Sequence, residues 1–480
     1  MIVGDAKSIL IPLLDDYPLG RKALRGLRLV HTHLKEEPLT QDDLADLALL
    51  RLDLIASIGV RDGFPGNICV AHLLPEGTKQ FELLQSQNFH TFEFVFSGFI
   101  RSLEDEMERS RVFSPDDKRE KAILVSVSTD PRYAQEDSLE ELKELARSSN
   151  VLVLDAVSQR PKKINPRYLL GEGKMKDLVI NALSKGATML IFDQELSPSQ
   201  VMAISELTEL KVIDRSQLIL DVFARRAHSR DGKVQVELAQ LKYRLPRLTG
   251  KGTAMSRLMG GIGGRGPGEM KLEIDRRRVR DRIGILESEL KSLAKARQQR
   301  KHRRVATGIP IVSIIGYTNA GKSTLLNSLT KSSVFVEDKL FATLDTASRR
   351  LRFPREKDVL VTDTVGFIRD IPKDLMAAFS ATLEELEDAD LLLHLVDVSN
   401  ARFEQHITSV ENILGELHLE HKQRILVFNK TDRIAGEESK NIAMRYKAIM
   451  ISALDPRTFD PLLRSIEEAI WTEKLAEAVI

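Results

Sequence analysis

The chain of 480 residues carries 71 Lys+Arg against 70 Asp+Glu, a formal net charge of +1, so whole-chain charge assigns it no nucleic-acid or membrane partner. Its one cysteine, Cys69, excludes an internal disulfide and reads, within Asn67-Ile68-Cys69-Val70, as a small buried hydrophobe. No apolar run approaches the roughly 20 residues that span a bilayer, and no basic-then-apolar leader opens the chain, so a cytoplasmic α/β protein of about two to four domains is expected.

Residues 1–113 read as an N-terminal α/β extension. Apolar strands are expected at 9–11, 27–30, 54–60 and 67–73, with a further strand at 91–96 and helices at 40–51 and 99–109. Within this stretch His31-Thr32-His33, followed by Thr40 and Asp43, resembles the zinc site of JAB/MPN-type metallopeptidases, where two His and an Asp bind metal. The spacing is one residue shorter than that pattern, and no upstream acidic residue offers itself as the catalytic Glu. A metal-free relic therefore stands beside the metal site as a reading.

Residues 120–235 alternate strands (122–127, 150–156, 188–192, 211–214) with helices (137–148, 174–184, 197–210), which predicts a parallel sheet. From 217 the pattern turns helical through 245. A glycine-rich loop, Gly260-Gly261-Ile262-Gly263-Gly264-Arg265-Gly266-Pro267-Gly268-Glu269, then precedes a helix expected over 270–304. Residues 236–305 thus read as a helical-hairpin arm. Over 271–304 there are 13 Lys/Arg against 5 Asp/Glu, a local net of +8. Leu272, Val279, Ile283, Leu286, Leu290 and Leu293 form a packing stripe, leaving a basic face. A solvated coiled coil would suffice for such a charge run. Its place beside an Arg-bearing flexible tip favours RNA, with Arg265, Arg276, Arg277 and Arg280 as the contact residues.

Residues 309–476 carry the chemistry. Gly316-Tyr317-Thr318-Asn319-Ala320-Gly321-Lys322-Ser323 matches the phosphate-loop pattern G-x-x-x-x-G-K-[ST], with an apolar strand ahead at 311–315 and a helix start behind at Thr324. Backbone N–H groups of Asn319, Ala320 and Gly321 would face phosphate oxygens, Lys322 would reach the β- and γ-phosphates, and Ser323 would ligate Mg²⁺. Thr343 is placed to sense the γ-phosphate through the same ion. Asp363 and Gly366 of Asp363-Thr364-Val365-Gly366 would hold the metal's water shell and contact the γ-phosphate. Asn429-Lys430-Thr431-Asp432 supplies a carboxylate for the two guanine donors, and Ser452-Ala453 backbone N–H for the guanine carbonyl. Any one of these is weak; the ordered set specifies a GTP-hydrolysing, P-loop switch. Asn319 also occupies the position where K⁺-activated GTPases carry a cation-ligating Asn.

The order of these domains resembles the HflX family over roughly residues 120–475. The likeness rests on Leu169-Leu170-Gly171-Glu172-Gly173-Lys174, Asp214-Arg215, Leu220 to Ala227, Val236 to Leu241, Leu245 to Gly250, Arg265 to Glu269, and Asp363 to Ile368. Gly264 and Met270 replace residues that are usually Thr there, and the first 110 residues look like an extension found in only some members. The resemblance implies a monomeric GTPase that binds the large ribosomal subunit and its rRNA and splits stalled or idle ribosomes, its tip loop reaching toward the peptidyl-transferase centre. A GTPase acting in tRNA modification or subunit assembly, or a metallopeptidase-like domain fused to a regulatory GTPase, are the competing classes.

Overall fold

Runs of β-branched and aliphatic residues bounded by capped amphipathic helices dictate sheets faced by helices. A computed structural model describes residues 24–74, 81–109, 119–248, 267–305, 308–330, 347–353, 358–364, 366–369, 376, 386–434 and 436–477. The chain divides into two compact units, Met1–Arg215 and Ser216–Ile480.

The first unit holds two sheets. Strands β1 (Arg28–His33), β2 (Leu54–Arg61), β3 (Phe64–Leu73) and β4 (Phe81–Leu83) lie in that order, β1 parallel to β2 and the rest antiparallel, with β5 (Gln87–Asn88) also on β3. Helix α1 (Gln41–Leu49) starts from a capping box in which Thr40 and Asp43 exchange side-chain-to-backbone bonds. Its Leu44, Leu47 and Ala48 pack with Ile55, Ala71 and with Ile100, Leu103 and Met107 of α2 (Phe96–Arg109). The strand expected over 91–96 is not formed. Phe89–Thr91 make a 3₁₀ turn and residues 92–95 run without a ladder before α2 begins at Phe96. The strand-like alternation has another cause: Phe92, Phe94 and Phe96 lie against Leu54, Ala56, Ile68 and Val70. The expected strand at 9–11 lies outside the described residues.

The second sheet of this unit is parallel, in the order β7 (Leu152–Gln159), β6 (Lys121–Val127), β8 (Met189–Phe192), β9 (Lys211–Asp214). Helices α3 (Arg132–Ser148), α4 (Glu172–Ser184) and α5 (Pro198–Leu207) connect its strands. Ile180 of α4 enters the core built around α1, and Arg51 donates to the Leu183 carbonyl at 3.0 Å, so extension and α/β domain share packing. The Asp214-Arg215 pair closes this domain. Asp214 accepts from Leu196 N at 2.9 Å, while Arg215 holds Asp193 at 3.1 Å and Glu141 at 2.6 Å in a buried ion-pair set.

The helical stretch expected from 217 through 245 is two helices, α6 (Arg215–Arg226) and α7 (Arg230–Arg244), because Ser229 breaks the run and caps α7 through Gly232 N. Helix α8 (Pro267–Val305) packs on α7 through Val234, Leu238, Ile283, Leu286, Leu290 and Leu293, most of the expected stripe. The pairs Arg276–Leu248 O, Arg282–Glu237 and Arg230–Glu289 run in opposite order along the two helices, as an antiparallel hairpin requires.

The remaining sheet runs β11 (Ala347–Arg352), β12 (Asp358–Asp363), β10 (Ile311–Ile315), β13 (Leu391–Asp397), β14 (Arg424–Asn429), β15 (Ile449–Met450), parallel except for β11. Val312, Ile314, Val361, Leu391 and Leu393 bury one face against Leu325 and Leu326 of α9 (Lys322–Thr330) and Leu462 and Ile466 of α12 (Asp460–Glu477); α10 (Phe403–Glu416) and α11 (Gly436–Tyr446) complete the helices. No helix among the described residues is long and apolar enough to cross a membrane.

Candidate guanine-nucleotide site

Every described residue proposed for nucleotide contact lies at or just beyond the C-terminal end of β10, β12, β14 or β15, the edge where open parallel sheets bind ligands. The loop between β10 and α9 depends on two glycines. Gly316 has φ +152°, and a Cβ there would stand 2.2 Å from the Leu395 carbonyl oxygen on β13. Gly321 has φ +94°, and its Cβ would meet Asn429 Nδ2 at 2.4 Å. Asn319, exposed at the loop's apex, takes the left-handed conformation at φ +62°, which Asn tolerates better than most residues.

Lys322 is buried, its Nζ donating to the Gly316 and Tyr317 carbonyls at 3.1 and 2.9 Å. Burial pushes its ammonium down to about 8, partly offset by the nearby Asp363 carboxylate. Ser323 Oγ donates to Asp363 Oδ2 at 2.6 Å, bringing together two of the three oxygen ligands expected for Mg²⁺. The third, Thr343, lies outside the described residues, as does Val365. Gly366 is buried against the phosphate loop, where an added Cβ would stand 3.0 Å from Lys322 Nζ and 2.9 Å from Thr318 Cγ2. The helix expected to start at Thr324 starts two residues earlier, at Lys322, so Thr324 lies in its first turn directly behind Ser323.

Asn429 fastens the base side of the pocket to the phosphate side. Its Nδ2 donates to the Ala320 carbonyl at 2.8 Å and its Oδ1 accepts from Ala453 N at 2.8 Å. Lys430, in the left-handed region at φ +61°, reaches back to the Asn319 carbonyl at 2.9 Å. Asp432 Oδ1 accepts from Ser452 Oγ at 2.6 Å, so the carboxylate proposed to read guanine is oriented by the loop proposed to read its carbonyl.

Known families match three successive segments. Residues 136–224 match "GTP-binding GTPase N-terminal", 226–304 "GTP-binding GTPase Middle Region", and 311–430 "50S ribosome-binding GTPase". The GTPase HflX of Caldanaerobacter subterraneus subsp. tengcongensis is 46% identical over 355 residues, covering 74% of this chain and 82% of the relative. The chain belongs to the HflX GTPase family. The GTPase HflX of Escherichia coli K12 is 42% identical over 68% of this chain and 77% of its own length. A solved GTP-binding protein from Sulfolobus solfataricus in complex with GDP is 27% identical over 73% of this chain and 98% of that one, with a TM-score of 0.39. As a member of this family with an intact phosphate loop, the protein is a GTP hydrolase with an α/β, P-loop fold.

Three residues of this HflX GTPase escaped the sequence reading. Asp397, at the end of β13, accepts from Lys430 Nζ at 2.7 Å and from Ser399 N at 3.0 Å, and its place at a strand's C-terminal end was the available signal. His406 of α10 stacks on Tyr317 with ring centroids 4.0 Å apart, a pairing between distant segments that no local pattern announces. His394, on β13 beside Ile315, is buried, and its Nε2 has no hydrogen-bond partner among the described residues. Burial, with the Arg424 and Lys322 charges adding to it, drives His394 down to about 3, so it is a neutral ring at pH 7.

On the arm, the structure separates the proposed arginines. Arg276 is half-buried and donates to the Leu248 carbonyl at 2.9 Å, closing the hairpin, while Arg277 and Arg280 are exposed. Arg265 lies outside the described residues. Arg278 is exposed as well.

Proposed function

We propose that this HflX GTPase is a ribosome-associated switch that binds the large ribosomal subunit through its basic arm and uses GTP to separate ribosomal subunits. The observation that carries the reading is the exposed arginine set Arg277, Arg278 and Arg280 on a helical hairpin, joined in one chain to a GTPase segment that matches a 50S ribosome-binding family. A closely spaced cationic face on a stiff hairpin suits the phosphate backbone of folded RNA, and it needs no sequence readout.

In hydrolysis, water attacks the γ-phosphorus, the bond to the β–γ bridging oxygen breaks, and GDP leaves with the electron pair. Within this proposal Lys322 and the loop N–H groups of 319–321 hold the phosphates, and Asp432 with the Ser452-Ala453 loop selects guanine. The hard oxygens of Ser323 and Asp363 fit Mg²⁺, whose charge would offset that on the β- and γ-phosphates. Ras-like switches place a water-orienting Gln after the D-x-x-G glycine; here the position is Phe367. Phe367 is buried, its N–H donating to the Gly316 carbonyl at 3.1 Å and its carbonyl accepting from Thr318 N at 2.8 Å. An apolar ring packed into the fold orients no water, so intrinsic turnover is slow and the ribosome supplies what is missing. Sedimentation of 70S ribosomes with the full chain tests the reading. GTP should shift material from the 70S peak to free subunits and GDP should not; identical profiles with both nucleotides would reject it.

A further inference from the structure

Away from the nucleotide pocket, the N-terminal unit gathers a second set of ligand-type side chains. His31 and His33 stand two apart on β1, hence on one face of the strand, and Asp43 sits in the first turn of α1. His31 Nε2 lies 2.9 Å from His33 Nε2 and 3.3 Å from Asp43 Oδ1, and His33 Nε2 lies 3.6 Å from Asp43 Oδ2. The three side chains are 9, 13 and 18% exposed, sheltered yet reachable. A tetrahedral zinc ion with bonds of about 2.0–2.1 Å holds neighbouring donors roughly 3.3 Å apart, the spacing of this cluster. We propose that His31 Nε2, His33 Nε2 and the Asp43 carboxylate bind one divalent ion of the zinc class, with a coordination position left for water.

The surroundings prepare these atoms for that role. The Glu37 carbonyl lies 2.8 Å from His33 Nδ1 and can only accept, so Nδ1 carries the proton and Nε2 keeps the lone pair a metal needs. Asp43 Oδ2 accepts from Thr40 N and Thr40 Oγ1, each at 2.7 Å, which fixes the carboxylate's direction. β1 is paired with β2 along its whole length and α1 is capped, so the ligands are set before any ion arrives. Nδ1 of His31 has no partner among the described residues, so ligation through Nε2 leaves a buried N–H unpaired and holds the affinity below that of a fully anchored site. The ion would tie β1 to α1, the helix that packs against α4, and so stiffen this unit. Imidazole with carboxylate suits Zn²⁺ and Co²⁺ rather than Mg²⁺ or Ca²⁺.

The full-length chain, stripped with a chelator and titrated with Zn²⁺, should take up one ion per chain that 100-fold excess Mg²⁺ does not displace. Asp43→Asn, which keeps an oxygen for the Thr40 donors but loses the charge, should bind at least 100-fold more weakly, and His33→Ala should abolish uptake. The double variant His418→Ala/His421→Ala, changing histidines elsewhere, should retain it. X-ray absorption on the unmutated Co²⁺-loaded chain gives a readout independent of variant folding, and two imidazoles in the first shell are expected. Absence of stoichiometric uptake, unaltered binding by Asp43→Asn and His33→Ala, or a first shell without imidazole would each overturn the site.

Discussion

Asn429→Ala removes the clamp between the two halves of the nucleotide pocket, and its cost can be worked out. Asn429 is 2% exposed, and its amide makes two buried bonds of 2.8 Å, to the Ala320 carbonyl and from Ala453 N. Truncation strands one buried acceptor and one buried donor, each costing about 1–3 kcal/mol, so about 2–6 kcal/mol is at stake. Part of this appears as lower stability of the free domain. The remainder appears on binding, because phosphate and base loops must be held in register to grip one ligand. If about 2 kcal/mol falls on binding, affinity drops roughly 30-fold. Neither bond touches the γ-phosphate position, so GTP and GDP should weaken alike. Fluorescent-nucleotide titration with both ligands, beside thermal unfolding of the free protein, measures the two shares. Affinity within threefold of wild type, or a loss confined to GTP, would refute the clamp.

Three further outcomes follow from the same site. Asp432→Asn should cost GTP on the order of 3 kcal/mol and turn preference toward xanthine nucleotide, whose 2-carbonyl suits an amide donor; competition binding with both nucleotides checks it. His394 sits near 3 when folded and near 6.5 when unfolded, so the unfolded chain binds more protons between those values and stability falls as pH drops below 6.5. At pH 5 that loss is about 2 kcal/mol, and His394→Leu should be spared it, as urea unfolding at pH 7 and pH 5 would show. If Asn319 ligates a monovalent cation beside the phosphates, turnover should be several-fold faster in K⁺ than in Na⁺ at equal ionic strength, and Asn319→Ala should erase the difference.

The parts of the site legible in sequence were those where chemistry demands a residue type at fixed spacing. A glycine must stand at 316 because the Leu395 carbonyl leaves no room for Cβ, and Lys322-Ser323 must open the helix for their side chains to reach one anion and one cation. The donor and acceptor pairing between Asn429 and the loops at 320 and 453 was not legible, since it joins segments more than 20 residues apart. The strand expected over 91–96 failed for a related reason. Period-2 alternation reports two faces but not whether a neighbouring edge is there to pair with, and Phe92 and Phe94 use their faces for side-chain packing alone. On the arm, charge density predicted a basic surface but could not tell Arg282, tied bidentately to Glu237, from Arg277 and Arg280, which face solvent.

In the proposed function this GTPase couples hydrolysis to an RNA surface through its arm. The most direct measurement is multiple-turnover GTP hydrolysis with and without large ribosomal subunits, for the wild-type chain and for the triple variant Arg277→Glu/Arg278→Glu/Arg280→Glu. Large subunits should accelerate the wild type by at least tenfold, with stimulation falling steeply as salt rises, because each phosphate contact releases counterions. The triple variant should keep wild-type nucleotide affinity and lose the stimulation. Equal stimulation of both proteins would place the coupling outside the arm, and a wild-type rate unchanged by large subunits would rule the coupling out.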